Sequence, residues 1–102
     1  MPEFIPMLCL STGHLPECVR ADLEAITAPG ADFEPGDWRH HLLVTAWFGY
    51  GWIVYVSEDD EADPPLPAAL ADALAFARRQ RAGFVKFDVD VAPIADLPFY
   101  DA

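Results

Sequence analysis

The sequence predicts a single α+β domain with elements in the order strand, helix, strand, strand, helix, strand. Three observations predict it. Residues 15–26 and 66–77 repeat apolar side chains at helical spacing, two runs rich in β-branched and aromatic residues flank Gly49-Tyr50-Gly51, and residues 84–91 alternate apolar with charged. A chain of 102 residues has room for one core and none for a second domain, so residues 1–102 form one unit. An apolar fraction of 53%, with 13% aromatic residues, supplies that core despite ten prolines.

Residues 4–10 form the first strand, with Pro6 near its start, where a missing N–H is tolerated. Leu15, Cys18, Val19, Leu23 and Ile26 line one face of the first helix, which Pro16 and Glu17 open and Ala28-Pro29-Gly30 ends. Residues 29–38, "PGADFEPGDW", carry two Pro-Gly pairs and no periodicity, which describes a surface loop. "HHLLVTAWF" and "WIVYVS" then form a hairpin. The acidic segment "EDDEADPP" leads into a second helix over residues 65–80, striped by Leu66, Ala69, Leu70, Ala73, Leu74 and Ala77 and ending in Arg78 and Arg79. In "FVKFDVDV", Val85, Phe87, Val89 and Val91 take the core face, and Lys86, Asp88 and Asp90 the other. Ile94, Leu97, Phe99 and Tyr100 of the tail are free to pack back.

This order is that of the split βαβ, or ferredoxin-like, arrangement: an antiparallel sheet with two helices on one face. The last strand then runs antiparallel to the first, which keeps Asp88 and Asp90 away from Ser11 and His14. The second face of the sheet has no helical cover and carries alternate hairpin residues, either a set such as Thr45, Trp47 and Tyr55 or their neighbours, since both faces of the hairpin are apolar. Apolar patches of that kind are commonly closed by another copy or another protein, so a homodimer is expected.

Six Lys and Arg against seventeen Asp and Glu give a net charge of −11, which repels phosphate backbones and anionic headgroups. Direct nucleic-acid binding and membrane association are not expected; a protein partner with a basic surface is. The N-terminus has no basic stretch before its apolar run, and Pro6 interrupts that run, so it reads as neither signal peptide nor span. Cys9 and Cys18 fall on a strand expected to be at least half-buried and on the packed helix face, too few for a disulfide scaffold, and are expected reduced in a cytoplasm.

Chemistry concentrates in "LCLSTGHLPE". Ser11 or Thr12 could be a nucleophile with His14 as base, or Ser11 and Thr12 could cap the helix, Gly13 make the bend, and His14 stand exposed. No G-x-S-x-G signature accompanies them, and the turn is the reading adopted. Asp88 and Asp90 share a strand face and could offer oxygens to Mg²⁺ or Ca²⁺, yet alternation alone gives that pattern on any solvated strand. His40 and His41 at a strand start point to opposite faces and cannot share a metal. No cofactor is expected. The residues expected to meet a partner are Asp59, Asp60, Glu61 and Asp63 of the acidic loop, with Trp47 and Tyr55 of the hairpin.

"LCLSTGHLPE", the "YGW" of the hairpin, "ALAFARRQRAGFVKFDVD" and "DLPFYD" together resemble an uncharacterised family of small bacterial, plasmid and phage proteins. Its members open with L-S-T-[AG]-H and close with F-D-x-D…L-P-x-Y-D. Val91 and Ala92 stand where that pattern has a glycine. The resemblance transfers no catalytic residue and implies an accessory or anti-defence role. The expected function is a small acidic cytoplasmic interaction module, a phage- or plasmid-borne inhibitor of the polyanion-mimic type. The alternative is a small hydrolase or ligand-binding enzyme at Ser11, Thr12 and His14.

Overall fold

Alternation orders β4 as far as Asp88, and helical spacing orders the buried residues of α3, as expected. The computed structural model describes residues 4–47, 49–57 and 65–100, so Asp59, Asp60, Glu61 and Asp63 lie outside the described residues. Strand β1 (Met7–Ser11) runs into a short 3-10 turn (Thr12–His14) and helix α1 (Glu17–Thr27). A one-turn helix α2 (Trp38–His41) precedes the hairpin β2 (Val44–Trp47) and β3 (Gly51–Tyr55), and helix α3 (Ala68–Arg79) precedes β4 (Phe84–Asp88).

The α+β class and the four-stranded sheet are present, but the sheet is mixed and its order is β1-β4-β3-β2. β4 lies parallel to β1, with Leu10 opposite Phe87 and Ser11 opposite Asp88, and antiparallel to β3, with Val54 opposite Val85. This corrects the ferredoxin-like expectation, in which all neighbours are antiparallel and the last strand runs against the first. The physical reason is the burial of β4. Val85 and Phe87 are fully buried, and β4 is paired on both sides, a ladder continued by Gly83 N–H to the Pro6 carbonyl and Val56 N–H to the Gly83 carbonyl. β1, entered through Pro6, takes the edge.

Register puts Leu10, Phe87, Val85 and Val54 on one face, where they pack with Val19 and Leu23 of α1 and Leu70, Ala73, Leu74 and Ala77 of α3. Each fully buried leucine contributes about 2 kcal/mol. The alanines let α3 lie close to the sheet; its expected stripe is buried from Ala69 to Ala77, while Leu66 lies ahead of the helix and is half-buried. Among the described residues no helix is long and apolar enough to cross a membrane.

Three local expectations are corrected. β4 stops at Asp88, so Val89 is exposed rather than core-facing. His40 and His41 sit on α2 rather than at a strand start, because Asp37 caps the N–H of Arg39 and starts a helical turn. Both cysteines are exposed: Cys9 alternates with buried Leu10 on an edge strand, and Cys18 lies beside the buried stripe of Val19 and Leu23. Both thiols are therefore expected to react with a thiol reagent in the native state as fast as in urea; slow native labelling of either would contradict its placement.

Arg39 ties α2 to α1. Its guanidinium donates to both carboxylate oxygens of Asp37, reaches Asp22 at 3.3 Å, and lies 4.4 Å from the Phe33 ring centroid. The side-chain hydrogen bonds from Arg39, then its backbone N–H, lower the Asp37 carboxyl from 3.8 to about 2. A folded pKa below the unfolded one stabilises above the unfolded value and is lost as pH falls through the folded value. The urea midpoint of wild type should exceed that of Asp37→Asn at neutral pH. The gap should close between about pH 4 and pH 2, and a pH-independent gap would contradict the pairing.

Candidate functional site

The segment that looked most like chemistry is buried. Ser11 ends β1, and its Oγ accepts the Gly13 N–H at 3.1 Å, closing the 3-10 turn, while Leu15 N–H donates to the Thr12 carbonyl. The Ser11 hydroxyl therefore caps this short turn and not α1, whose N-cap is Pro16 and has no side-chain hydrogen bond. His14, however, is 2% exposed rather than at the surface.

The tail folds over this turn. His14 Nδ1 lies 2.8 Å from the Pro98 carbonyl, the Ile94 N–H donates to His14 Nε2 at 3.0 Å, and the Tyr100 N–H donates to the Gly13 carbonyl at 2.6 Å. A carbonyl only accepts and a backbone N–H only donates, so the imidazole must be neutral with its proton on Nδ1. The Phe99 ring meets His14 edge to face at 6.2 Å. It also covers Gly13, where a Cβ would overlap the ring. Leu97 is buried in the core between these contacts.

In this arrangement both ring nitrogens of His14 are engaged by the tail backbone, leaving neither to take a proton from Ser11 or Thr12. The expected separation of Ser11 from Asp88 is corrected by the parallel β1–β4 pair, which makes them direct neighbours. Asp88 is nevertheless occupied: its carboxylate accepts the Asp90 N–H at 2.9 Å and lies 3.9 Å from Lys86 Nζ. Asp90 stands in the turn after β4, so the two carboxylates do not share a strand face as expected. Among the described residues no group of three or more His, Cys, Asp or Glu is placed to hold a metal ion. His40 and His41 face the carbonyls of Phe33 and Pro35.

The second face of the sheet is different. Register aligns Cys9, Lys86, Ile53 and Thr45 in one row, and Met7, Phe84 and Tyr55 in the next. α1 and α3 pack on the opposite face, and Cys9, Thr45 and Tyr55 are exposed. Trp47 and Tyr55 lie here, so the register selects this set over its neighbours. The Lys86 ammonium sits 4.5 Å from the Trp47 ring centroid, and Tyr55 meets Phe84 edge to face at 5.9 Å. These contacts hold the aromatic rings in place. Phe84, Ile53 and Lys86 were not singled out from sequence, although the alternation of β4 already placed Lys86 opposite the core.

A family model described as the C-terminal domain of a family of unknown function, DUF5983, matches residues 7–102. No curated protein and no solved structure matches the chain.

Proposed function

We propose for this chain, which belongs to the DUF5983 C-terminal domain family, non-covalent binding of a protein with a basic surface, seated on the uncovered sheet face. The observation that carries it is that face itself. Trp47, Tyr55, Phe84 and Ile53 form an aromatic and aliphatic patch outside the core of a chain whose net charge is −11. Aromatic residues held in place suit the centre of an interface, and the net negative charge of the chain attracts a cationic partner. A second copy would bring the same −11 to the contact, which favours a basic protein over a homodimer. An inhibitor that occupies a nucleic-acid-binding surface as a polyanion mimic, carried by a phage or plasmid, is the form of this role the charge suits best. A reducing cytoplasm suits its two exposed thiols. The hydrolase alternative at Ser11, Thr12 and His14 is disfavoured by the engagement of both imidazole nitrogens.

Tyr55→Glu is the test. A partner captured from the native host with wild-type protein, then purified, should bind Tyr55→Glu at least about 100-fold more weakly while the far-UV spectrum of the variant is unchanged. Neutralising Asp59, Asp60, Glu61 and Asp63 together should slow association and flatten its salt dependence. Equal binding by Tyr55→Glu would contradict the surface. A wild-type dimer in sedimentation that Tyr55→Glu dissociates would assign the face to a second copy instead.

A further inference from the structure

A second feature, on the opposite side of the sheet from the proposed docking face and independent of it, is an arginine with two guanidinium nitrogens that have no hydrogen-bond partner among the described residues. Arg20 lies in α1 between the buried Val19 and the exposed Ala21. A surface arginine ordinarily buries its methylenes and leaves its charged head in water. Here the Nε and Nη2 atoms are themselves closed off from solvent and have no hydrogen-bond partner among the described residues. Glu24, one turn further along α1, forms no ion pair with it, and Asp22 is taken by Arg39. A buried guanidinium edge without a partner is costly, because the solvation it loses is not replaced.

Arg20 also lines a cavity of about 460 Å³ between α1 and the hairpin turn. That volume lies within the roughly 300–1,000 Å³ usual for small-molecule sites. Trp52, Tyr50, Ala46 and Val89 give it largely apolar walls, and Thr12, next to the capped turn, adds a hydroxyl. Nε and Nη2 form one edge of the guanidinium, the fork that pairs with two oxygens of a planar anion.

We infer that this cavity binds a small organic carboxylate with an apolar body, its two oxygens held by the Nε and Nη2 edge of Arg20. Phosphate fits less well. Arg20 is the single cation among the lining residues, Glu24 adds a negative charge to the same lining, and a dianion would be compensated less than a monoanion in a protein of net charge −11. Because the Nε and Nη2 edge is closed off, binding requires the Arg20 side chain to turn toward the cavity it lines, where Trp52 and Tyr50 would take the apolar body.

The test uses the intact chain and three simple acids, acetate, benzoate and 4-phenylbutyrate, with 4-phenylbutyramide and phenyl phosphate as comparisons. At least one of the aromatic acids should shift the Arg20 Nε–H and Trp52 indole resonances saturably. The amide and the phosphate should bind at least about tenfold more weakly, a loss of about 1.4 kcal/mol. Arg20→Met should remove the carboxylate dependence and melt no lower than wild type, because it deletes an unpaired buried charge and keeps a chain of similar length. A silent Arg20 resonance with all three acids, equal binding of acid and amide, tighter binding of phenyl phosphate, or a melting temperature lowered by several degrees in Arg20→Met would each overturn the assignment.

Discussion

Gly51→Ala is expected to destabilise the protein by about 3–5 kcal/mol, enough to leave much of the population unfolded at 37 °C in a domain of ordinary stability. Gly51 opens β3 at φ 156°, and a Cβ there would overlap the carbonyl oxygen of Phe87 in β4. The obstacle is backbone on a central strand, so no side-chain rotation relieves it. β3 would have to leave β4, and the contact of Val54 with Val85 and Phe87 would open with it. Gly49, two residues earlier at φ 79°, has open space where its Cβ would stand. Gly49→Ala should therefore cost only about 1 kcal/mol, the penalty of a left-handed alanine. Urea midpoints of the two variants test the difference, and equal midpoints would contradict the close approach of β3 to β4.

His14→Ala is expected to cost about 3 kcal/mol and to loosen residues 94–100. It removes two hydrogen bonds to the tail backbone, worth about 1 kcal/mol each, and leaves a void where a fully buried ring had been. Phe99 loses its edge-to-face neighbour, and the Tyr100 bond to the Gly13 carbonyl loses the support beside it. Limited proteolysis should cut the variant in the tail while wild type resists. A His14→Ala protein with wild-type stability and a protected tail would show that the ring does not hold this segment.

What was legible in the sequence is what depends on neighbours close along the chain. The stripe of α3, the hairpin around Gly49-Tyr50-Gly51 and the grouping of Thr45, Trp47 and Tyr55 on one face follow from periods of 3.6 and 2, but which face that is does not, because both faces of the hairpin are apolar. The strand order does not follow, because alternation says which residues share a face and not which strand lies alongside; β4 joins β1 through contacts some 77 residues apart, such as Met7 with Phe84. Cys9 is exposed because it alternates with core-facing Leu10 and so points to the uncovered face, a choice of face that the short run of residues 4–10 does not fix. The one-turn α2 was hidden because its signal is a single cap, Asp37, inside a loop dense in proline and glycine. His14 was read as exposed because its partners, Ile94 and Pro98, are 80 and 84 residues away and contribute only backbone atoms. "STGH" and "DLPFY" stand near opposite ends of the sequence and meet in the fold. Arg20 gave no signal, since a charge on a helix with Glu24 four residues on looks like an ordinary solvated pair.

The claim that His14 is a structural tie rather than a proton-transfer group rests on its tautomer. Long-range ¹H–¹⁵N correlation of the histidine rings near neutral pH tests it directly. A neutral His14 ring with its proton on Nδ1, and a hydrogen-bond coupling from that proton to the Pro98 carbonyl, is the predicted result. A ring protonated on Nε2, or one whose nitrogens average with solvent, would contradict it and return His14 to Ser11 and Thr12 as a candidate base.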